Sequence, residues 1–257
     1  MNKDFVASAK PRLRAAAIHF VASAAFAGVA SLVIFRVWYP PPFASIAGAF
    51  TLFTLLVGID VVLGPALTAV VASRDKPKRV LARDLAVIVS VQLAAFAYGV
   101  HTLALARPVA LVFEVDLMRL VSAADIDPNA LDGAPLALRK LSWSGPRLMA
   151  AEKPADGDEQ FRAIELGLAG IHLAMQPVYW RDYASQRTTA WQAASPVSKL
   201  LMRYPGSADE VAQIAASAKL SAEELRFLPL TSRHADWVAL IAPPDARIVG
   251  YLPLDGF

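Results

Sequence analysis

The chain has 257 residues, 56% of them hydrophobic and 18% charged, with a formal net charge of +3 and a mean hydropathy of +0.44. It contains no cysteine, which excludes disulfides, thiolate metal centres and cysteine nucleophiles. A composition this apolar departs from that of soluble domains. The basic residues gather beside apolar blocks, not in a patch suited to nucleic acid, so no nucleic-acid partner is expected.

The chain opens with a basic tail, residues 1–14, carrying Lys3, Lys10, Arg12 and Arg14. The first apolar block runs from Ala15 to Trp38 and holds no acidic residue. About 20 apolar residues suffice to cross a bilayer as a helix. Ala22-Ser23-Ala24 resembles a signal-peptide cleavage site, but the apolar run continues past it to Phe35, which favours a retained span. A second block runs from Phe43 to Ala72 and a third from Leu85 to Ala106. Between the first two lies Trp38-Tyr39-Pro40-Pro41-Pro42-Phe43. There the prolines stop a helix and the two rings suit a half-wet interface. The second loop carries Arg74, Lys76, Lys78 and Arg79. By the positive-inside rule this loop and the tail are cytoplasmic; contact with anionic headgroups fits the same charges, and docking to a cytoplasmic partner is the alternative reading of the loop. Three crossings then place residues 107–257 on the outer side of the membrane, which in a Gram-negative cell is the periplasm. The expected organisation is a basic tail (1–14), a three-helix transmembrane domain (15–106) and a periplasmic domain (107–257).

In the outer domain, Val109 to Val115 is rich in β-branched residues and reads as a strand, with Leu117 to Val121 pairing with or extending it. Asp158 to Met175 has helical spacing, with Phe161, Ile164, Leu168 and Ile171 on one face. Helices are also expected after Ser195-Pro196 and over Ala208 to Ala218. Ser221-Ala-Glu-Glu224 matches a capping box. Trp237 to Ile241 and Arg247 to Leu252, joined by Pro243-Pro244-Asp245-Ala246, read as a hairpin. The expected fold class is therefore membrane α with a C-terminal α+β domain, its small antiparallel sheet built from the first and last strands.

Asp60 is the one charge in the second block. It lies about 12 residues from the helix end, roughly 18 Å deep at 1.5 Å per residue, near the midplane of a core about 30 Å thick. A charged Asp there costs about 2.5–3.5 kcal/mol, so it must be protonated, paired or hydrogen-bonded. Ser31 and Tyr98 lie at similar depth and are candidate donors. Gly64-Pro65 follows within a turn. Pro65 removes a backbone bond and kinks the helix, leaving the Val61 carbonyl in need of a donor. One reading is a polar clasp that fixes helix packing. The other is functional: a site for a polar group of a partner helix, or a proton-linked switch. Ala24, Gly28 and Ser31 form a small-residue face suited to close helix contact.

Glu114 and Asp116 alternate with apolar residues and are expected on a solvent-facing strand edge. The four histidines have no metal-ligand spacing, so neither metal nor cofactor is expected, and no phosphate loop or nucleophile motif is present. Arg181 and Arg187 alternate with Trp180, Tyr183 and Trp191, a mixture enriched in protein interfaces. Those aromatics fill a core in one reading and form a partner surface in the other.

Several stretches together resemble the type IV pilin accessory protein family. They are Gly58 to Pro65 with Leu67-Thr68, Asp84 to Ile88 leading to Gln92-Leu93-Ala94, Tyr98-Gly99-Val100, Ala106 to Val109 running into Val112 to Asp116, Leu225 to Leu230, and Gly250-Tyr251-Leu252. The stretch from Asp125 to Gln160 matches poorly. The resemblance implies an inner-membrane factor that assists or modulates assembly of its cognate pilin and brings no catalytic residues. Expected partners are a type IV pilin subunit, touched through its membrane helix, its globular head or both, and the lipid bilayer; a second copy of the chain is a further option. Competing readings are a membrane-bound enzyme that modifies pilin by glycosyl or other group transfer, and a periplasmic sensor module.

Overall fold

The computed structural model describes the backbone of residues 3–72 and 77–257, and side chains from residue 12 onward within those ranges. The chain divides into two compact units, 1–37 with 49–105 and 38–48 with 106–257.

The first unit is helical. Helix α1 (Lys3–Val33) runs into a π-helical turn (Ile34–Trp38). A short helix α2 (Phe43–Ile46) lies in the loop that follows and belongs to the second unit. The next apolar stretch is α3 (Ala49–Gly58), a π-helical turn (Ile59–Leu63) and α4 (Gly64–Val71). Helix α5 covers Lys78–Ala106. Three helical spans, Arg12–Trp38, Ala49–Val71 and Lys78–Ala106, are long and apolar enough to cross a membrane. Their outward side chains are themselves apolar: Val21, Phe26, Val29 and Leu32 on the first, Leu55, Val62, Leu67 and Val70 on the second, Val87, Val91 and Leu93 on the third. Continuous apolar exposure over three helices fits a hydrocarbon solvent.

The second unit is a mixed sheet packed on both faces. Its strands are β1 (Pro108–Glu114), β2 (Leu117–Ser122), β3 (Arg147–Ala151), β4 (Trp180–Asp182), the two-residue β5 (Ser195–Pro196), β6 (Arg226–Thr231), β7 (Asp236–Ala242) and β8 (Arg247–Leu252). Seven lie in the order β4-β3-β1-β2-β6-β7-β8, and β5 pairs onto β6. The expected small antiparallel sheet is thus corrected. Strand β1 pairs antiparallel with β2 but parallel with β3, β2 pairs parallel with β6, and the two end strands do not meet. The cause is visible in β1, buried at every position. A strand apolar on both faces takes a central place between covered layers.

Alternate residues of the sheet feed opposite cores. Leu111, Phe113, Met118, Leu228, Leu230, Ala239 and Ile241 face one side. On the other side Ala110, Val112, Val121 and Met149 form one cluster, and Phe227, Val238 and Leu240 another with Val197 and Leu200. The sheet curls enough for the Tyr183 hydroxyl, just after β4, to donate to the Ala246 carbonyl in the β7–β8 turn at 2.7 Å. The remaining helices are α6 (Gly157–Leu168), α7 (Arg187–Ala193), α8 (Val197–Arg203) and α9 (Ala208–Ser217). The last two and the β7–β8 hairpin coincide with the sequence expectation. The Ser221–Glu224 capping box is present and opens a single 3-10 turn.

Residues 38–48, expected within the transmembrane domain, belong instead to the outer unit. Ile46 is fully buried in the core beside Phe113 and Ile241, and its carbonyl accepts the Ser232 hydroxyl at 2.7 Å. Phe43 packs edge-on to Tyr251. Tyr39, expected at a wet interface, is only 1% exposed, and burial raises its pKa against the opposing charge of Arg107. Trp38 packs on Trp143, and the Arg107 guanidinium lies 3.6 Å from the Trp143 ring centre.

Candidate functional site

Asp60 occupies the middle of the 23-residue span Ala49–Val71, inside the π-helical turn. Its location follows from Pro65. A π turn bonds each N–H to the carbonyl five residues back, so the nitrogen of Pro65 faces the Asp60 carbonyl, and proline has no hydrogen to give. The Gln92 side chain on α5 supplies it: Nε2 donates to the Asp60 carbonyl at 3.1 Å. The carbonyl in need of a donor is therefore that of Asp60, not Val61 as an uninterrupted α register implies. Gly64 makes room for this bond, since a Cβ there would lie 2.0 Å from Gln92 Nε2.

The Asp60 side chain is 7% exposed. Its Oδ1 and the Gln92 Oε1 are buried without a hydrogen-bond partner. Both residues line a cavity of about 320 Å³ with His19, Ser23 and Phe26 of α1 and Leu93 and Phe96 of α5. Phe26 and Leu93 are about half exposed on the outer surface of the helices, so the cavity lies at the lateral face of the bundle. One turn or two away, His19 Nδ1 and the buried Thr68 hydroxyl are 2.6 Å apart. Helix α1 is thus tied to α4, and α5 to the π turn, by polar contacts that surround Asp60 but leave one buried carboxylate oxygen without a hydrogen-bond partner.

The donors expected for Asp60 are corrected. Ser31 donates to the Gly28 carbonyl of its own helix, and Tyr98 is 74% exposed. Neither reaches the carboxylate. Gly28 has no neighbour near its Cβ position, and among the described residues of that helix it is Ala27 that is buried. His19 and Gln92 were missed because one polar residue in an apolar helix has no periodic signature; their position relative to Asp60 depends on how the helices are rotated. Of the topology signal, Arg74 and Lys76 lie outside the described residues, and Lys78 and Arg79 begin α5.

In the outer unit the arginine-aromatic stretch divides. Trp180 and Tyr183 are buried. Trp180 Nε1 donates to the Ala174 carbonyl at 2.8 Å, and burial pushes the Tyr183 phenol up to about 12. Trp191 packs against the core under the Arg226 guanidinium, 4.7 Å from its ring centre. Arg181 pairs with Glu152 at 2.8 Å and Arg187 with Asp245 at 3.7 Å, all four partly exposed. The expected partner surface is therefore not a continuous exposed patch: its aromatics mostly belong to the interior. Glu114 is likewise corrected. It is 5% exposed, accepts Arg119 Nε at 2.6 Å and the Ala174 N–H at 2.7 Å, and does not face solvent. Asp116 lies in the following turn. Among the described residues, no group of three His, Asp or Glu could hold a metal ion.

Comparison with known proteins bears on what this arrangement serves. The family model "Fimbrial assembly protein FimB" matches residues 7–48, the first span plus the loop that enters the outer core. The chain is 36% identical over 260 residues to the fimbrial assembly protein of serogroup I from Dichelobacter nodosus, covering all of this chain and 99% of that one. It is 35% identical, with the same coverage, to the serogroup E1 protein of that organism. It is 43% identical over 138 residues to the protein of serogroups C1 and C2, covering 53% of this chain and all of that one. No solved structure matches the chain. With two relatives aligned from end to end over spans and outer unit alike, the chain belongs to the fimbrial assembly protein family.

Proposed function

We propose that the chain is a non-enzymatic accessory factor of type IV pilus biogenesis that holds its cognate pilin subunit before or during assembly. It sits in the bacterial inner membrane with its N-terminus cytoplasmic and residues 107–257 periplasmic. Family membership supports the role in fimbrial biogenesis. The basic residues that flank the spans support the orientation.

The observation that carries the mode of action is the buried carboxylate oxygen of Asp60 that lacks a hydrogen-bond partner, on a residue that lines a lateral cavity of the bundle. A pilin that waits in the membrane presents a helix to that face. A polar group on such a helix gains a partner only at a site of this kind, because bare hydrocarbon offers none. The chain acts by binding: the cavity supplies acceptors and a shaped apolar wall, and no nucleophile or acid–base pair is called on.

Asp60→Leu lowers surface piliation in this reading, and Asp60→Asn, which keeps size and polarity, lowers it less. Membrane levels of the chain are measured in parallel, and a photocrosslinker at Ala22 reports whether pilin contacts the cavity. Normal piliation with Asp60→Leu at normal protein level would sink the proposal.

A further inference from the structure

Helix α6 presents an apolar face that nothing in its own unit covers. At about 100° per residue, Phe161, Ile164 and Leu168 fall within a sector of about 60°. They are 70%, 63% and 87% exposed. Ile171, just past the helix, is 43% exposed and continues the strip. The spacing predicts that this face is the buried one, yet the helix turns Ala163, its sole buried residue, inward.

The helix is nevertheless firmly built. Asp156 caps its start, accepting the N–H groups of Asp158 and Glu159 at 3.1 and 3.2 Å. Gln160 Nε2 ties the first turn to the Pro154 carbonyl at 2.9 Å. At the other end Gly170 takes a φ of +87°, and the Ile171 N–H bonds back to the Leu166 carbonyl at 2.8 Å, a Schellman closure. Caps at both ends hold the apolar strip in place where core packing does not.

Charge decides between the occupants of such a strip. Helices that lie on a bilayer carry Lys and Arg on the polar face, to meet anionic headgroups. Here Asp158 and Glu165 border the strip, and Arg162 is the one basic residue against Asp158, Glu159 and Glu165. A second α6 would bring like charges together. Tyr179 lies close enough to Glu159 and Arg162 to feel both, so the helix's other side faces its own domain. We infer that the Phe161–Ile164–Leu168 face of α6 is a docking site for a different protein, one whose apolar ridge is bordered by Lys or Arg.

The test uses the full chain in intact fimbriate cells with a photocrosslinking residue at position 168. A crosslink to another polypeptide, mapped to an apolar residue flanked by Lys or Arg, is expected. Asp158→Lys with Glu165→Lys should lower its yield about fivefold through charge repulsion, and Asp158→Asn with Glu165→Gln by less. Both pairs sit on the surface, and thermal unfolding of the purified chain in detergent checks that the fold is kept. Crosslinking to lipid, to a second copy or to the chain's own spans overturns the inference, as does a yield unchanged by charge reversal or no crosslink at all. The outcome is independent of piliation by Asp60 variants, so either proposal can fail alone.

Discussion

The two units treat their buried carboxylates, Glu114 and Asp60, in opposite ways. In the outer unit the Glu114 carboxylate is met by Arg119 and the Ala174 N–H, Trp180 Nε1 by a carbonyl, and the Tyr183 hydroxyl by another. Asp245 has one unpaired buried oxygen there, but its side chain is 38% exposed and its other oxygen faces Arg187. In the helical unit, Asp60 is more deeply enclosed and keeps an oxygen open, as does Gln92. Lipid cannot hydrogen-bond as water can, so an open acceptor costs more between spans than at a wet surface. A polar group left open where the cost is higher points to use, whereas a satisfied one points to architecture.

Four substitutions or conditions can break or sharpen that contrast. The largest effect is expected at Glu114. Glu114→Leu strands Arg119 with its charge buried and should cost about 3–5 kcal/mol of outer-unit stability, read by thermal unfolding. Glu114→Leu with Arg119→Met should recover most of that loss; if it does not, the pair does more than satisfy itself.

Ile46→Ala is expected next, at about 2–4 kcal/mol, because it hollows the core from a loop between two spans. An isolated fragment of residues 106–257 lacks that side chain altogether and should unfold at lower temperature than the full chain. Equal stability would show that the loop contributes nothing.

Gly64→Ala comes third. Gln92 must swing away from the new methyl and lose its bond to the Asp60 carbonyl, for about 1 kcal/mol. The same bond is lost in Gln92→Leu, so the two effects should not add; full additivity in a double-mutant cycle would refute the shared contact.

The smallest effect is pH-dependent. Hydrogen bonds from the Ser221 backbone and hydroxyl hold the Glu224 carboxyl below its usual range. A depressed folded-state pKa adds stability above the unfolded value, about 4.3, and that contribution is lost as pH falls through the folded value. Glu224→Gln should slightly lower stability above that unfolded value and leave it unchanged at the lowest pH, so that the acid limb flattens in pH-dependent unfolding.

Of the two candidate sites, Asp60 was legible in the chain because one carboxylate in a long apolar run is conspicuous by composition. Its companions were not. His19, Gln92 and Thr68 lie 41, 32 and 8 residues away, and which of them meet depends on helix rotation and on the π turn that Pro65 shapes. Likewise, α6 was readable as an amphipathic helix, but a periodic pattern says only that one face is apolar. Which side the domain covers follows from caps and neighbours.

The amino-acid order alone determined the three spans, the basic residues around them, β1 and β2, the terminal hairpin and the helices near Val197 and Ala208. Each is written in local hydrophobic periodicity and in turn or cap residues, which act over a few positions. Only the tertiary structure decided the mixed sheet order, the entry of Ile46 into a core whose other members begin more than 60 residues later, the burial of Glu114 with Arg119, and the cavity at Asp60. Those are pairings between distant segments, and their energies depend on geometry that no short window of sequence contains.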